Sequence, residues 1–95
     1  MASKFPLGLL AMTRGVADEV AQNAAFAVFC AKSLYRHVAG DWGDLCDDDK
    51  KANEFALKEG NLRIFSAYES YGLPKIWIIT EADRSATTTL FPDEY

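Results

Sequence analysis

Cysteine, histidine and proline are scarce in this chain, at two, one and three in 95 residues. Cys30 and Cys46 are too few for a disulfide framework and sit in neither a Cys-x-x-Cys nor a His-paired spacing, so reduced thiols are expected, with Cys30 packed inside a helix. With one histidine, a zinc site would have to recruit carboxylates, and no metal is expected. No Gly-x-Gly occurs. A domain this short buries only about 60–70% of its unfolded surface, which leaves little volume for a walled active site, so no cofactor is expected. No apolar run reaches the roughly 18 residues that cross a bilayer, and Met1 to Pro6 lacks a secretory apolar stretch with a cleavage site. A cytoplasmic protein with no membrane partner is expected. Basic residues are outnumbered by acidic ones, 10 against 14, for a net charge of -4. The mean field repels phosphate backbones, so direct nucleic-acid binding is not expected.

What is present is 49% hydrophobic and 13% aromatic residues, the composition of one folded domain over residues 1–95. Leu7 to Met12 reads as a strand, placed at a sheet edge by Pro6. Thr13 is positioned to cap a short helix, and Asn23 either caps a second or lies within one long one. From there Phe26, Phe29, Cys30, Leu34 and Val38 recur at three- and four-residue steps, a core-facing stripe. Lys32, Arg36 and His37 gather toward its C-terminal end, where cations suit the helix dipole, and Gly40 stops it. One of Asp47, Asp48 and Asp49 is expected to cap a third helix, with Ala52, Phe55 and Ala56 inward and Gly60 at its end. Beyond Gly60 the period becomes two. Strands are predicted over 62–68, 75–81 and 87–91, joined by turns at 71–74 and 83–85. The threonines of the last strand, with Ser66 and Thr80, read as the wet side of a half-buried sheet. The fold class is therefore α+β: a small antiparallel sheet of three to four strands with two to three helices packed on one face.

Several stretches carry a resemblance: Arg36-His37-x-x-Gly40-Asp41-Trp42-Gly43-Asp44-Leu45, then Asn53, Ala56-Leu57 and Gly60, then Lys75-x-Trp77 through Ser85, and Pro92-x-Glu94-Tyr95. In these the chain resembles a family of small bacterial proteins carried on plasmids and other mobile elements, often labelled plasmid-related proteins or type I restriction M subunits. The resemblance covers roughly Arg36 to Tyr95 and, more weakly, Leu7 to Thr13. It brings no catalytic residues with it. The segment Ala24 to Tyr35 is longer and more aromatic than the family pattern and reads as a partner-specific addition. The methyltransferase label fails on chemistry, because the chain has neither a glycine-rich cofactor turn nor a Pro-Pro-Tyr loop to grip a flipped base.

Two functional readings follow. In the first, Trp42 is an exposed anchor in an acidic rim of Asp41, Asp44, Asp47, Asp48 and Asp49, which imitates phosphates to a basic protein partner such as a nucleic-acid-binding defence complex. The protein is then a non-enzymatic factor with no catalytic residue, of the anti-CRISPR or anti-restriction kind that mobile elements carry. The same acidic run lacks the Asp-x-Asp-x-Asp-Gly pattern of a calcium loop. In the second reading, His37, Arg84 and Ser85, with Arg63 and the Thr87 to Thr89 run as further members, form a metal-independent ribonuclease-like site. The long helix from Ala24 to Val38 is richer in Phe and Ala than one core face requires, and offers a surface for a second copy of the chain.

Overall fold

The structure is a computed structural model that describes residues 3–95; Met1 and Ala2, the first residues of the stretch inspected for a leader, lie outside the described residues. In chain order the elements are β1 (Leu9–Met12), α1 (Arg14–Gln22), α2 (Ala24–Val38), α3 (Asp47–Glu59), β2 (Ile64–Tyr68), β3 (Ile76–Thr80) and β4 (Ala86–Leu90), closed by a 3-10 turn at Pro92–Glu94. Thr13 accepts from the Val16 amide and caps α1, while Asn23 accepts from the Phe26 amide and separates α2 from α1. Gly60 ends α3 in the left-handed conformation at φ 80°. The α3 N-cap is Cys46, so all three aspartates fall in the first turn and none of them is the cap. No helix among the described residues is long and apolar enough to cross a membrane.

The fold is α+β. One four-stranded sheet runs in the order β1-β4-β3-β2, with β3 and β4 interior. The β2-β3-β4 pairings are antiparallel as expected, but β1 joins β4 in parallel, so the sheet is mixed. A parallel neighbour needs a long crossover, and the three helices between β1 and the hairpins supply it.

The sheet faces are the reverse of the expected ones. Ser66, Thr80, Thr87 and Thr89, read as the wet side, are all buried, in register with Ile64, Ile76 and Ile78 beneath the helices. Val16, Phe26 and Cys30 complete that core with Tyr68. Phe65 and Trp77 lie on the opposite face in edge-to-face contact at 5.0 Å, and Tyr95 folds back over Trp77 at 5.7 Å. These residues were read by polarity alone, and the hydroxyls of Ser66, Thr80 and Thr87 find partners inside. The inward face of α3 also differs. Phe55 is 56% exposed and Ala52 is exposed, while Asn53 and Ala56 are buried. Asn53 turns the helix because its side-chain oxygen accepts from the Phe65 amide at 3.0 Å and its amide donates to the Phe65 carbonyl.

Candidate functional site

The segment from Gly40 to Asp49 folds onto the outer edge of β2. Gly43 forms a parallel bridge to Ala67, the Asp44 amide donates to the Ala67 carbonyl at 2.7 Å, and the Ala67 amide donates to the Trp42 carbonyl at 3.3 Å. Only glycine serves at 43: its φ is 75°, and a Cβ there would stand 2.0 Å from the Ala67 carbonyl oxygen. Trp42 is consequently not an exposed anchor. It is 4% exposed, its indole packs with Phe5, Ala56 and Ile64, and Nε1 donates to Glu54 at 2.8 Å. An indole that can bury its rings and still satisfy its N-H from the rim gains more by folding inward than by facing water.

The five aspartates divide. Asp41 pairs with Arg36 at 2.7 Å and accepts from the Gly43 amide, and that guanidinium holds its carboxyl below the usual carboxylate range. Asp44 accepts from the Glu69 amide at 2.9 Å. The Tyr68 hydroxyl donates to the Asp41 carbonyl, and Arg36 lies over the Tyr68 ring at 4.8 Å. Asp47, Asp48 and Asp49 project from the first turn of α3 into solvent. Of the six residues read as a contact rim, Trp42 alone is buried; the five aspartates are exposed, Asp41 and Asp44 tied to Arg36 and the Glu69 amide and Asp47, Asp48 and Asp49 without an ion pair among the described residues.

His37, Arg84 and Ser85 do not assemble an open catalytic groove. His37 is 0% exposed, with both ring nitrogens engaged: Nδ1 lies 2.6 Å from Ser66 Oγ and Nε2 lies 2.9 Å from Thr80 Oγ1. Thr80 Oγ1 lies 2.7 Å from Thr87 Oγ1, and Thr87 donates to the Leu7 carbonyl at 2.8 Å. The direction of every proton in this chain follows from its last acceptor. The Leu7 carbonyl can only accept, so Thr87 gives it its one proton, Thr80 donates to Thr87, and Nε2-H donates to Thr80. Nδ1 then accepts from Ser66. His37 is thus a neutral Nε2-H tautomer, and burial pulls its pKa down to about 3. The reading of His37 as a cation at the helix end is corrected, since a buried imidazolium would find no carboxylate here. The hydroxyl face of the sheet exists to receive this ring.

Arg84 is equally committed. It is the one non-glycine residue with positive φ among those described, at 62°. Its guanidinium donates to the carbonyls of Leu62, Glu81, Ala82 and Ala56, tying the β3-β4 turn to the end of α3. Ser85 donates its amide to Asp83 in the adjoining turn. Arg63 lies on the other face, bonded to the Tyr95 hydroxyl at 2.9 Å. Cys30 is buried, which pushes its thiol up to about 11 and away from reactivity. No group of three or more His, Cys, Asp or Glu side chains among the described residues is placed to hold a metal.

A surface that sequence reading missed lies at the other end of the sheet. Leu9, Leu10 and Met12 of β1 are 73%, 57% and 47% exposed, and Leu10 stands at the end of an open groove of about 800 Å³ that the preceding segment, residues 3–8, forms with Leu34, Tyr35 and Val38 of α2. The available signal was Leu9-Leu10-Ala11-Met12 itself, a strand with no polar alternation at a position Pro6 had already marked as an edge. Among known protein families, curated proteins and solved structures, none matches this chain.

Proposed function

We propose that this chain is a small acidic interaction factor of the anti-defence kind that mobile elements carry, inhibiting a larger nucleic-acid-binding complex by occupying one of its basic surfaces. The observation that supports it is the free first turn of α3: Asp47, Asp48 and Asp49 are all exposed, and none forms an ion pair with a cation among the described residues. Three carboxylates on one turn set up a concentrated negative field of the kind a phosphate-binding surface accepts. Trp42 and Asp44 serve this turn from behind. Their anchorage to β2 and Glu54 fixes where the carboxylates point, so little loop ordering opposes binding.

A phage challenge tests the reading, in hosts that carry an active CRISPR or restriction system. The wild-type chain restores plaque formation in at least one such host, and the triple variant Asp47→Lys, Asp48→Lys, Asp49→Lys loses that effect while keeping its far-ultraviolet circular dichroism. A wild-type chain without effect in every system, or a folded triple variant as effective as wild type, would overturn it. Since the contact is between surface charges, binding to the inhibited complex also weakens from 50 mM to 500 mM salt, about a threefold shortening of the screening length.

A further inference from the structure

The β1 edge has the geometry of a self-complementary interface. Leu9 and Thr13 donate their amides to Ser85 and Thr89 of the β4 side. By strand alternation the N-H and C=O groups of Leu10 and Met12 point away from the sheet, and no backbone partner for them occurs among the described residues. No charged residue, proline or bulge blunts this edge between Leu7 and Thr13, the devices by which edge strands avoid pairing.

We propose that β1 pairs antiparallel with β1 of a second copy about a two-fold axis at Ala11, joining the two sheets into one of eight strands. In that register Leu10 stands opposite Met12 of the partner subunit, and each such pair exchanges two hydrogen bonds, so four close across the axis. Ala11 faces the partner's Ala11 in the close, non-hydrogen-bonded position, where the smallest side chain of the strand belongs. Leu10 and Met12 lie on the helical side, since they are in register with the buried Thr87 and Thr89. There the neighbouring flank of α2 carries Leu34, Tyr35 and Val38, with Lys32 one turn from both Val28 and Tyr35 at its rim and Lys4 in the adjoining groove.

The area approaches that of a specific dimer. Leu9, Leu10, Met12, Val28 and Tyr35 are each about half or more exposed. At the roughly 150–250 Å² of a large side chain they leave on the order of 500 Å² of apolar surface in water. The strand edge and the groove rim bring this toward the ~800 Å² per partner of a standard stable interface. The strand itself carries no charge, so no like charges stand opposite each other along β1 although each copy carries a net -4. The proposal does not depend on the acidic turn of α3.

Sedimentation equilibrium of the full chain tests it. The expected species has twice the 10.5 kDa chain mass. Leu10→Lys weakens the dimer by about a hundredfold or more, because two apolar contacts per dimer are lost. Leu10→Lys combined with Met12→Glu restores it, because opposite charges then stand directly across the axis. Hydrogen exchange adds a second readout, with the Leu10 and Met12 amides protected in proportion to dimer population. A chain that remains monomeric at millimolar concentration overturns the proposal, as does a dimer indifferent to Leu10→Lys. Failure of the charge pair to restore association in a folded double variant overturns the register.

Discussion

The two edges of the sheet are finished in opposite ways. Along β2 the outward amides of Phe65, Ala67 and Glu69 and the carbonyls of Phe65 and Ala67 meet partners from the chain itself: Asn53 takes the Phe65 amide and carbonyl, Trp42 and Asp44 take those of Ala67, and the Asp44 carboxylate takes the Glu69 amide. Along β1 the Leu10 and Met12 backbone faces outward beneath exposed apolar side chains. Edge strands invite pairing unless something covers them. A loop, a glycine and an asparagine close one side only, and the other side is the one proposed to take a second sheet.

Breaking the closed edge has the largest effect. Gly43→Ala sets a Cβ against the Ala67 carbonyl at a left-handed φ, which pries the loop from β2 and lowers stability by roughly 3 kcal/mol. Urea denaturation measures it, with Gly60→Ala as the companion, where a Cβ meets nothing within 4 Å and only the φ penalty remains. Asn53→Ala comes next, at about 2–3 kcal/mol, because it strips both partners from the Phe65 peptide groups.

The His37 chain links the two sides, running from Ser66 on β2 through Thr80 and Thr87 to Leu7 just ahead of β1. Its folded pKa of about 3 lies below the unfolded value of 6.5, so the unfolded state binds more protons between those limits. Stability is therefore fully present above about pH 6.5 and falls as the pH drops toward 3, by at most about 1.4 kcal/mol per pH unit. The acid limb measured by urea titration should lose this contribution in His37→Gln. Nitrogen NMR of the wild type should report a protonated Nε2 and a bare Nδ1 at neutral pH. Thr87→Val removes the final donor to Leu7 and costs about 1–2 kcal/mol, with greater amide exchange at the β1 end than at the β2 end. The smallest effect belongs to the open edge: Leu10→Lys changes the stability of the dilute monomer by no more than about 0.5 kcal/mol. A large loss there would show that β1 is closed after all, and would remove the contrast.

Much of this architecture was legible in the chain. Thr13, Asn23 and Gly60 mark helix limits because capping is a local exchange between one side chain and the next turn's amides, and the change of period after Gly60 announces the hairpins. The candidate contact rim was half legible. All five aspartates are exposed as expected, whereas Trp42 is enclosed, Asp41 is paired with Arg36, and Asp44 holds the Glu69 amide at the end of β2, a strand some twenty residues further on. Asn53 was missed although a signal existed: a poor helix former in mid-helix, one turn before Ala56, asks for a tertiary hydrogen-bond partner.

By itself the sequence determined the element order, the helix limits at Thr13, Asn23 and Gly60 and the acidic balance, all of which depend on neighbours within a few residues. Only the tertiary structure decided which sheet face is dry, which way β1 runs, that His37 is a buried neutral link and not a surface acid or base, and that the indole of Trp42 is enclosed. The reason is that a hydroxyl, an imidazole or an indole N-H is polar or satisfied according to what stands across from it. For Ser66, Thr80 and Thr87 that is one histidine brought from α2, a meeting that no local pattern records.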